Sequence, residues 1–266
     1  GGATGIEVAG ILSEMKKFVL PNDYPDMSSS LMHIYLIEAG PRLLAGMSEE
    51  SSAHAEQFLR EMGVNILLNK RVVDYRDHKV VLEDGTEIAT RTFIWVSGVT
   101  GVTIGNLDAS LIGRGGRIKV DSFNRVEGMN NVFAIGDQCI QLADENYPNG
   151  HPQLAQVAIQ QGELLAKNLI RMEKGQEMKP FHYRNLGSMA TVGRNRAVAE
   201  FSKVKMQGWF AWVMWLVVHL RSILGVRNKV IVLLNWVWNY FTYDQSMRMI
   251  VYARKAKEIR DREKVE

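Results

Sequence analysis

An α/β fold is predicted for this chain of 266 residues. Three observations predict it. A glycine turn, GGATG, opens a helix at residues 1–17. Short extended segments around Asp84-Gly85, a strong hairpin signal, read as a β-meander set inside an α/β unit. A strand at 132–135 runs into Gly136-Asp137 ahead of a long helix.

The elements follow in order. After the opening helix comes the polar, turn-rich stretch PNDYPDMSSS at 21–30, then a short apolar strand at 32–38 ending in Glu38. Ser48 is a fitting N-cap for a helix to Met62, and Val64 to Leu68 is a short strand. Extended segments are expected at 71–76 and 78–82, with Glu87–Ala89 starting the return strand. TFIWV at 92–96 reads as a buried-type strand, and RIKV at 117–120 as another. A long helix is expected from Gln153 to Met172, and paired strands over 187–201 around Gly193-Arg194-Asn195. Two apolar helices near 208–224 and 229–242 follow, then a charged terminal helix from about 244.

Composition narrows the class. The chain is 46% hydrophobic and 23% charged, which excludes a disordered chain. One cysteine excludes an internal disulfide framework and a cysteine-based zinc site, and the six histidines show no ligand spacing. The chain starts at Gly1, inside a motif and without a signal peptide, so it is expected to be the C-terminal part of a longer protein.

Charge is uneven. Residues 200–266 carry 12 Lys/Arg against six Asp/Glu, whereas the rest of the chain is net acidic. Five of the six tryptophans lie in the same tail. Basic charge among aromatics suits nucleic acid or a membrane surface, and the runs WFAWVMWLVV and VIVLL decide for the membrane, with no nucleic-acid role. The first segment is interrupted by His219 and Arg221, and the second carries Asn235 and Asn239 at i,i+4. An interfacial hairpin is expected, against the alternatives of a true span and of a buried core or oligomer interface.

Two motifs carry nucleotide chemistry. In GGATG, Gly2 and Gly5 stand as the second and third glycines of a dinucleotide fingerprint, where a missing side chain lets backbone approach a pyrophosphate. Glu38, ending the next strand, can accept hydrogen bonds from both ribose hydroxyls of an adenosine and repels a 2′-phosphate, favouring NADH. The alternative is a plain tight turn into a helix. In VFAIGDQ, Asp137 can hydrogen-bond a flavin ribityl hydroxyl, or simply be a solvated turn. Gln156 and Gln160 share one helical face, as either quinone contacts or solvated helix. Glu7 sits in the first helical turn, where acids also complement the macrodipole. Cys139, close to Asp137, reads as a small buried filler rather than a nucleophile.

With the meander between them, these two signals resemble the second half of two-dinucleotide-binding-domain flavoproteins. GHPQLAQVAIQQGELLAKNL at 150–169, GSMATVGRNRAVAEF at 187–201 and NWVWNYFTYDQSMRMI at 235–250 resemble the type II NADH:quinone oxidoreductases. The resemblance implies a Rossmann-like NADH-binding domain over 1–100, the remainder of an FAD-binding domain over 101–200, and membrane-associating amphipathic helices over 201–266. It implies FAD and NADH as cofactors, a quinone as acceptor, a lipid surface as partner and a possible homodimer. A peripheral or monotopic place on the cytoplasmic face of a bacterial inner membrane is expected.

By the same resemblance, Gly2, Gly5 and Glu38 would hold NADH and Gly98 would line that site. Glu7 matches an acid near nicotinamide and flavin, with a possible proton-relay role. Gly136 and Asp137 would bind FAD. Gln156 and Gln160 match an AQ-x-x-x-Q pattern bordering flavin and quinone, and the backbone of Leu154, Ala155 and Gln156 would face the isoalloxazine. The family's N-terminal FAD fingerprint and the strand before Gly1 are absent, so this stretch alone is expected to bind FAD weakly or not at all. The competing readings are a soluble NAD(P)H-dependent reductase with a protein acceptor and a non-catalytic NADH-sensing module.

Overall fold

The computed structural model describes residues 1–26, 28–102 and 104–242. The charged helix expected from about 244 lies outside the described residues. The chain forms two compact units: Gly1–Ser13 with His33–Trp215, and Glu14–Met32 with the chain from Leu216.

In the first unit, helix α1 (Ala3–Glu14) buries Gly5, Ile6, Ala9, Gly10 and Ser13. Strand β1 (Ile34–Ile37) pairs in parallel with β2 (Val64–Leu67), Ile34 opposite Val64. Both strands alternate buried and exposed residues, as a half-covered sheet requires. Between them lies α3 (Glu49–Glu61), opened by Ser48, whose hydroxyl accepts from the Ser51 amide. Its buried Ser51, Ser52, Ala55 and Leu59 recur at helical spacing.

Strands β3 (Val72–Arg76), β4 (Lys79–Leu82) and β5 (Glu87–Ala89) form the expected antiparallel meander. Gly85, at φ +84°, makes the β4–β5 turn. The neighbouring Asp84 carboxyl is held down at about 2, first by the bond from Lys70 and then by the Thr86 amide.

Farther on, β6 (Ile118–Val120) pairs in parallel with β7 (Cys139–Gln141). Helix α4 (Ala155–Glu173) follows, and then the antiparallel sheet of β8 (Ser188–Gly193), β9 (Arg196–Phe201) and β10 (Val204–Gln207). Ala197, Val198 and Ala199 of β9 are fully buried. β10 leads straight into α5 (Gly208–Ser222), whose Ala211 packs on Ala197 and Ala199.

This sheet supports the two N-terminal helices. A Cβ on Gly10 of α1 would lie 1.6 Å from the Val192 carbonyl oxygen. The Ser13 hydroxyl donates to the Met62 carbonyl, and Glu200 of β9 accepts from the Ser48 amide at 3.0 Å and from the Ser48 hydroxyl. Burial raises the Glu200 carboxyl, but the serine hydroxyls, the Ser48 amide and the Lys205 charge together leave it below its ordinary 4.5. A depressed carboxylate stabilises the fold above its unfolded pKa, and that contribution disappears as pH falls through the folded value. Glu200→Gln should cost about 1.5–3 kcal/mol at neutral pH. The gap to wild type should close as pH drops below 4.5, as thermal melts across pH will read.

The second unit contains the continuation of α1 as a π-helical turn over Met15–Val19, then α2 (Leu20–Asp23) with a proline in its first turn. It also holds the end of α5 and α6 (Val226–Thr242). The helix expected to stop at residue 17 therefore runs on to Asp23.

Two expected strands do not form. TFIWV at 92–96 forms no ladder, with Ile94 46% and Trp95 61% exposed. Its apolar, β-branched composition suits a buried strand, yet no strand among the described residues pairs with it. VFAI at 132–135 makes one isolated bridge, Phe133 to Arg125, and the ladder starts only after a one-turn 3-10 helix at Gly136–Gln138.

Candidate functional site

The first candidate site lies where α1 begins and β1 ends. Gly1 lies close enough to Glu38 that a Cβ there would be 2.6 Å from a carboxylate oxygen. The Glu38 side chain accepts from the Gly40 amide at 2.7 Å, and its other oxygen lies 2.8 Å from the Gly1 nitrogen. Gly2 is exposed, with no atom within 4 Å of a Cβ, so its backbone faces open space at a helix N-terminus. Gly5 is buried, and its Cβ would touch Val96 and Leu36 at 3.4 and 3.5 Å. Gly98, two residues beyond Val96, is exposed at φ +87° with open space around it. Gly1, next to Gly2, thus lies against Glu38, and Gly5 packs on Leu36, two residues before Glu38 on the same chain. Glu7, one turn on, has a carboxylate oxygen 3.5 Å from the Thr191 amide of β8.

The second candidate site lies where the Gly136–Asp137 turn meets α4. Gly136 has φ +65°, and a Cβ on it would lie 3.1 Å from the Ala158 side chain. Its amide donates to Gln161 Oε1 at 2.7 Å, and Gln153 Nε2 donates to the Asp137 carbonyl at 3.0 Å. The turn is therefore pinned to α4 at Gln161 and to Gln153 just ahead of the helix, and the Asp137 side chain remains exposed. Leu154, extended at φ −131°, precedes the helix without a side-chain cap and is 41% exposed. Ala155 is exposed beside it, so the first-turn amides face the open end.

Gln156 and Gln160 occupy positions that sequence alone left open. Gln156 donates to the Gly187 carbonyl at 3.1 Å and accepts from the Leu186 amide at 3.0 Å. Gln160 donates to the Arg184 carbonyl at 2.9 Å and accepts from the Arg184 amide at 3.1 Å. Asn168 does the same with both backbone groups of Lys179, at 2.8 and 2.9 Å. Each amide acts as a strand edge would, so 179–187 is strapped along α4 without a ladder of its own. An amide carries two N–H donors, so Gln156 and Gln160 each keep one beyond these bonds.

Sequence reasoning missed Gln161, Asn168, Asp144 and His151. The repeat of amides along one helix face, at 156, 160 and 168, was the available signal. Cys139 is 1% exposed, and burial pushes its thiol up, so it fills space as expected.

Residues 1–162 match the family description pyridine nucleotide-disulphide oxidoreductase, and residues 185–243 match the NDH2 C-terminal domain. The type II NADH:quinone oxidoreductase NdhA of Mycobacterium tuberculosis is 35% identical over 248 residues, covering 88% of this chain and 51% of that protein. The mitochondrial internal alternative NAD(P)H-ubiquinone oxidoreductase A1 of Arabidopsis thaliana is 31% identical, covering 90% and 50%. The chain thus spans about half the length of the curated relatives it matches. A structure of NDH2 from Plasmodium falciparum in complex with NADH superposes with a TM-score of 0.78 at 18% identity, covering 91% of this chain and 64% of that one, which shows a shared fold. The chain belongs to the pyridine nucleotide-disulphide oxidoreductase family and resembles, along most of its length, the type II NADH:quinone oxidoreductases.

Proposed function

We propose that the protein carrying this chain passes electrons from NADH through FAD to a quinone at a membrane surface. One observation carries the reading: a single compact unit holds both an open glycine turn beside Glu38 and a Gly136–Asp137 turn pinned to the start of α4. The residues present fit both groups. Open backbone at Gly2 and Gly98 accommodates a dinucleotide, and an exposed carboxylate beside uncapped helix amides accommodates a ribityl chain and a flavin edge.

FAD, when bound, supplies the two-electron relay between hydride donor and quinone. In this reading residues 1–100 bind NADH, 101–200 complete the flavin site and 201–266 meet the membrane. Glu38 accepts from the adenosine ribose and repels a 2′-phosphate. Gly2 and Gly5 give the pyrophosphate its approach, and Gly98 lines the same pocket. Asp137 accepts from the ribityl chain. Leu154, Ala155 and Gln156 present backbone to the isoalloxazine. The second N–H of Gln156 or Gln160 donates to a quinone carbonyl, and Glu7 holds a proton near the nicotinamide and flavin.

In the second unit Val217, Leu224, Val226, Trp238 and Phe241 of α5, α6 and the turn between them are 56% to 86% exposed, apolar side chains suited to the acyl boundary. No helix among the described residues is long and apolar enough to cross a membrane. We place it as a monotopic anchor on the cytoplasmic face of a bacterial inner membrane, with a homodimer as the competing occupant of that apolar surface. Anaerobic NADH should bleach the flavin absorbance of the purified protein, and a quinone should restore it. Flotation with lipid vesicles should survive high salt. An unbleached flavin would overturn the redox reading, and salt-released protein the anchoring.

A further inference from the structure

Just ahead of α4 lies a buried polar pair that neither candidate site uses. Asp144 and His151 are 4% and 1% exposed. Asp144 Oδ2 accepts from His151 Nε2 at 3.0 Å and from the Tyr183 amide at 3.4 Å, while Oδ1 accepts from the Asn146 amide at 3.0 Å. The rings of Tyr147, Phe181 and Tyr183 surround the imidazole with centroids 5.2, 5.2 and 5.9 Å away. Arg117 fixes the backbone as well, donating to the His151 carbonyl at 3.0 Å and to the Cys139 carbonyl at 2.6 Å. Burial pushes the Asp144 carboxyl up, and the bonds from His151, Asn146 and Tyr183 bring it below its ordinary value.

An imidazole and a carboxylate are a poor way to fill an aromatic cluster on energetic grounds. Taking both out of water costs several kcal/mol, and apolar side chains of the same shape would avoid it. What the pair adds is direction. It joins the loop after β7, the residue that leads into α4 and the strap that Gln156 and Gln160 hold. Val157, in the first turn of α4, packs in the same cluster with Phe181 and Tyr183. Only three residues separate His151 from Ala155, so a turn of the imidazole is felt directly at the helix start.

We propose that Asp144 and His151 are positioning residues that set the opening turn of α4, Leu154 to Gln156, against the Gly136–Asp137 turn. The inference deepens the function proposed above and rests on it for its effect on quinone. His151→Phe keeps an aromatic volume and removes the bond, and Asp144→Asn keeps the shape with less charge. Glu200→Gln, whose carboxylate bonds Ser48 rather than α4, serves as a control that lowers stability, read at the helix start because its backbone adjoins Gly187. In the purified protein, amide hydrogen exchange at 152–158 and 181–187 should accelerate in the two variants, and exchange at 152–158 should stay at the wild-type rate in the control. The KM for quinone should rise roughly tenfold with the KM for NADH unchanged. Asp144→Asn provides the same comparison if His151→Phe does not fold. Exchange that rises evenly over the whole chain, or a quinone KM unmoved beside local exchange, would overturn the proposal. A wild-type protein that cannot reduce quinone would sink the function instead, and the exchange pattern would still decide whether the pair positions α4.

Discussion

Replacing Gly10 by alanine is expected to destabilise the first unit by about 3 kcal/mol, although alanine is the better helix former. In an open helix the same change stabilises by roughly 0.5–1 kcal/mol. Here the added Cβ would lie 1.6 Å from the Val192 carbonyl oxygen and 2.7 Å from its carbon. Both are backbone atoms of a buried strand, so neither can swing aside as a flexible side chain would. Relief requires α1 to lift from β8, which also stretches the approach of Glu7 to the Thr191 amide and the Ser13–Met62 bond. A melting temperature about 10 °C lower, read by calorimetry, is the expected outcome. An unchanged or raised value would show that α1 does not press on β8.

Glu38→Ala is expected to raise the KM for NADH by roughly 10–100-fold, the equivalent of losing one or two hydrogen bonds to a charged acceptor at about 1.5–3 kcal/mol. Activity with NADPH should fall less or rise, because the charge that repels a 2′-phosphate is gone. The melting temperature should move little, since the carboxylate is partly solvated and bonds the Gly40 amide in a loop. Steady-state kinetics with the two nicotinamides separates this from a folding defect. Equal loss with both cofactors, or no loss, would remove Glu38 from the ribose.

Much of this architecture was legible because it is local. Ser48 caps α3 by reaching three residues along its own chain, and Asp84-Gly85 turns the meander by its backbone preference. The approach of the Gly1 backbone to Glu38, and of Gly5 to Leu36, followed from a turn and a strand end that the α1–β1 order brings together. Strands were less legible. The runs at 92–96 and 132–135 carry strand composition, but a ladder belongs to two segments, and their sequence contains only one of them. The amide bonds of Gln156 and Gln160 were hidden for the same reason. Their partners at 184–187 lie 24 to 31 residues away, on a stretch with no periodicity to announce it. The Asp144–His151 pair was equally silent, because six residues of loop separate two groups that meet only after β7 and α4 have been placed.

The rungs between α4 and the 179–187 segment demand a side chain that gives and takes a hydrogen bond at the same end. A carboxylate cannot: it would aim a second lone pair at the carbonyl of Gly187 or Lys179. Loss of the amide at Gln156, Gln160 or Asn168 would therefore unfasten this stretch while leaving side-chain size nearly untouched, a change that a one-dalton gain in mass would report.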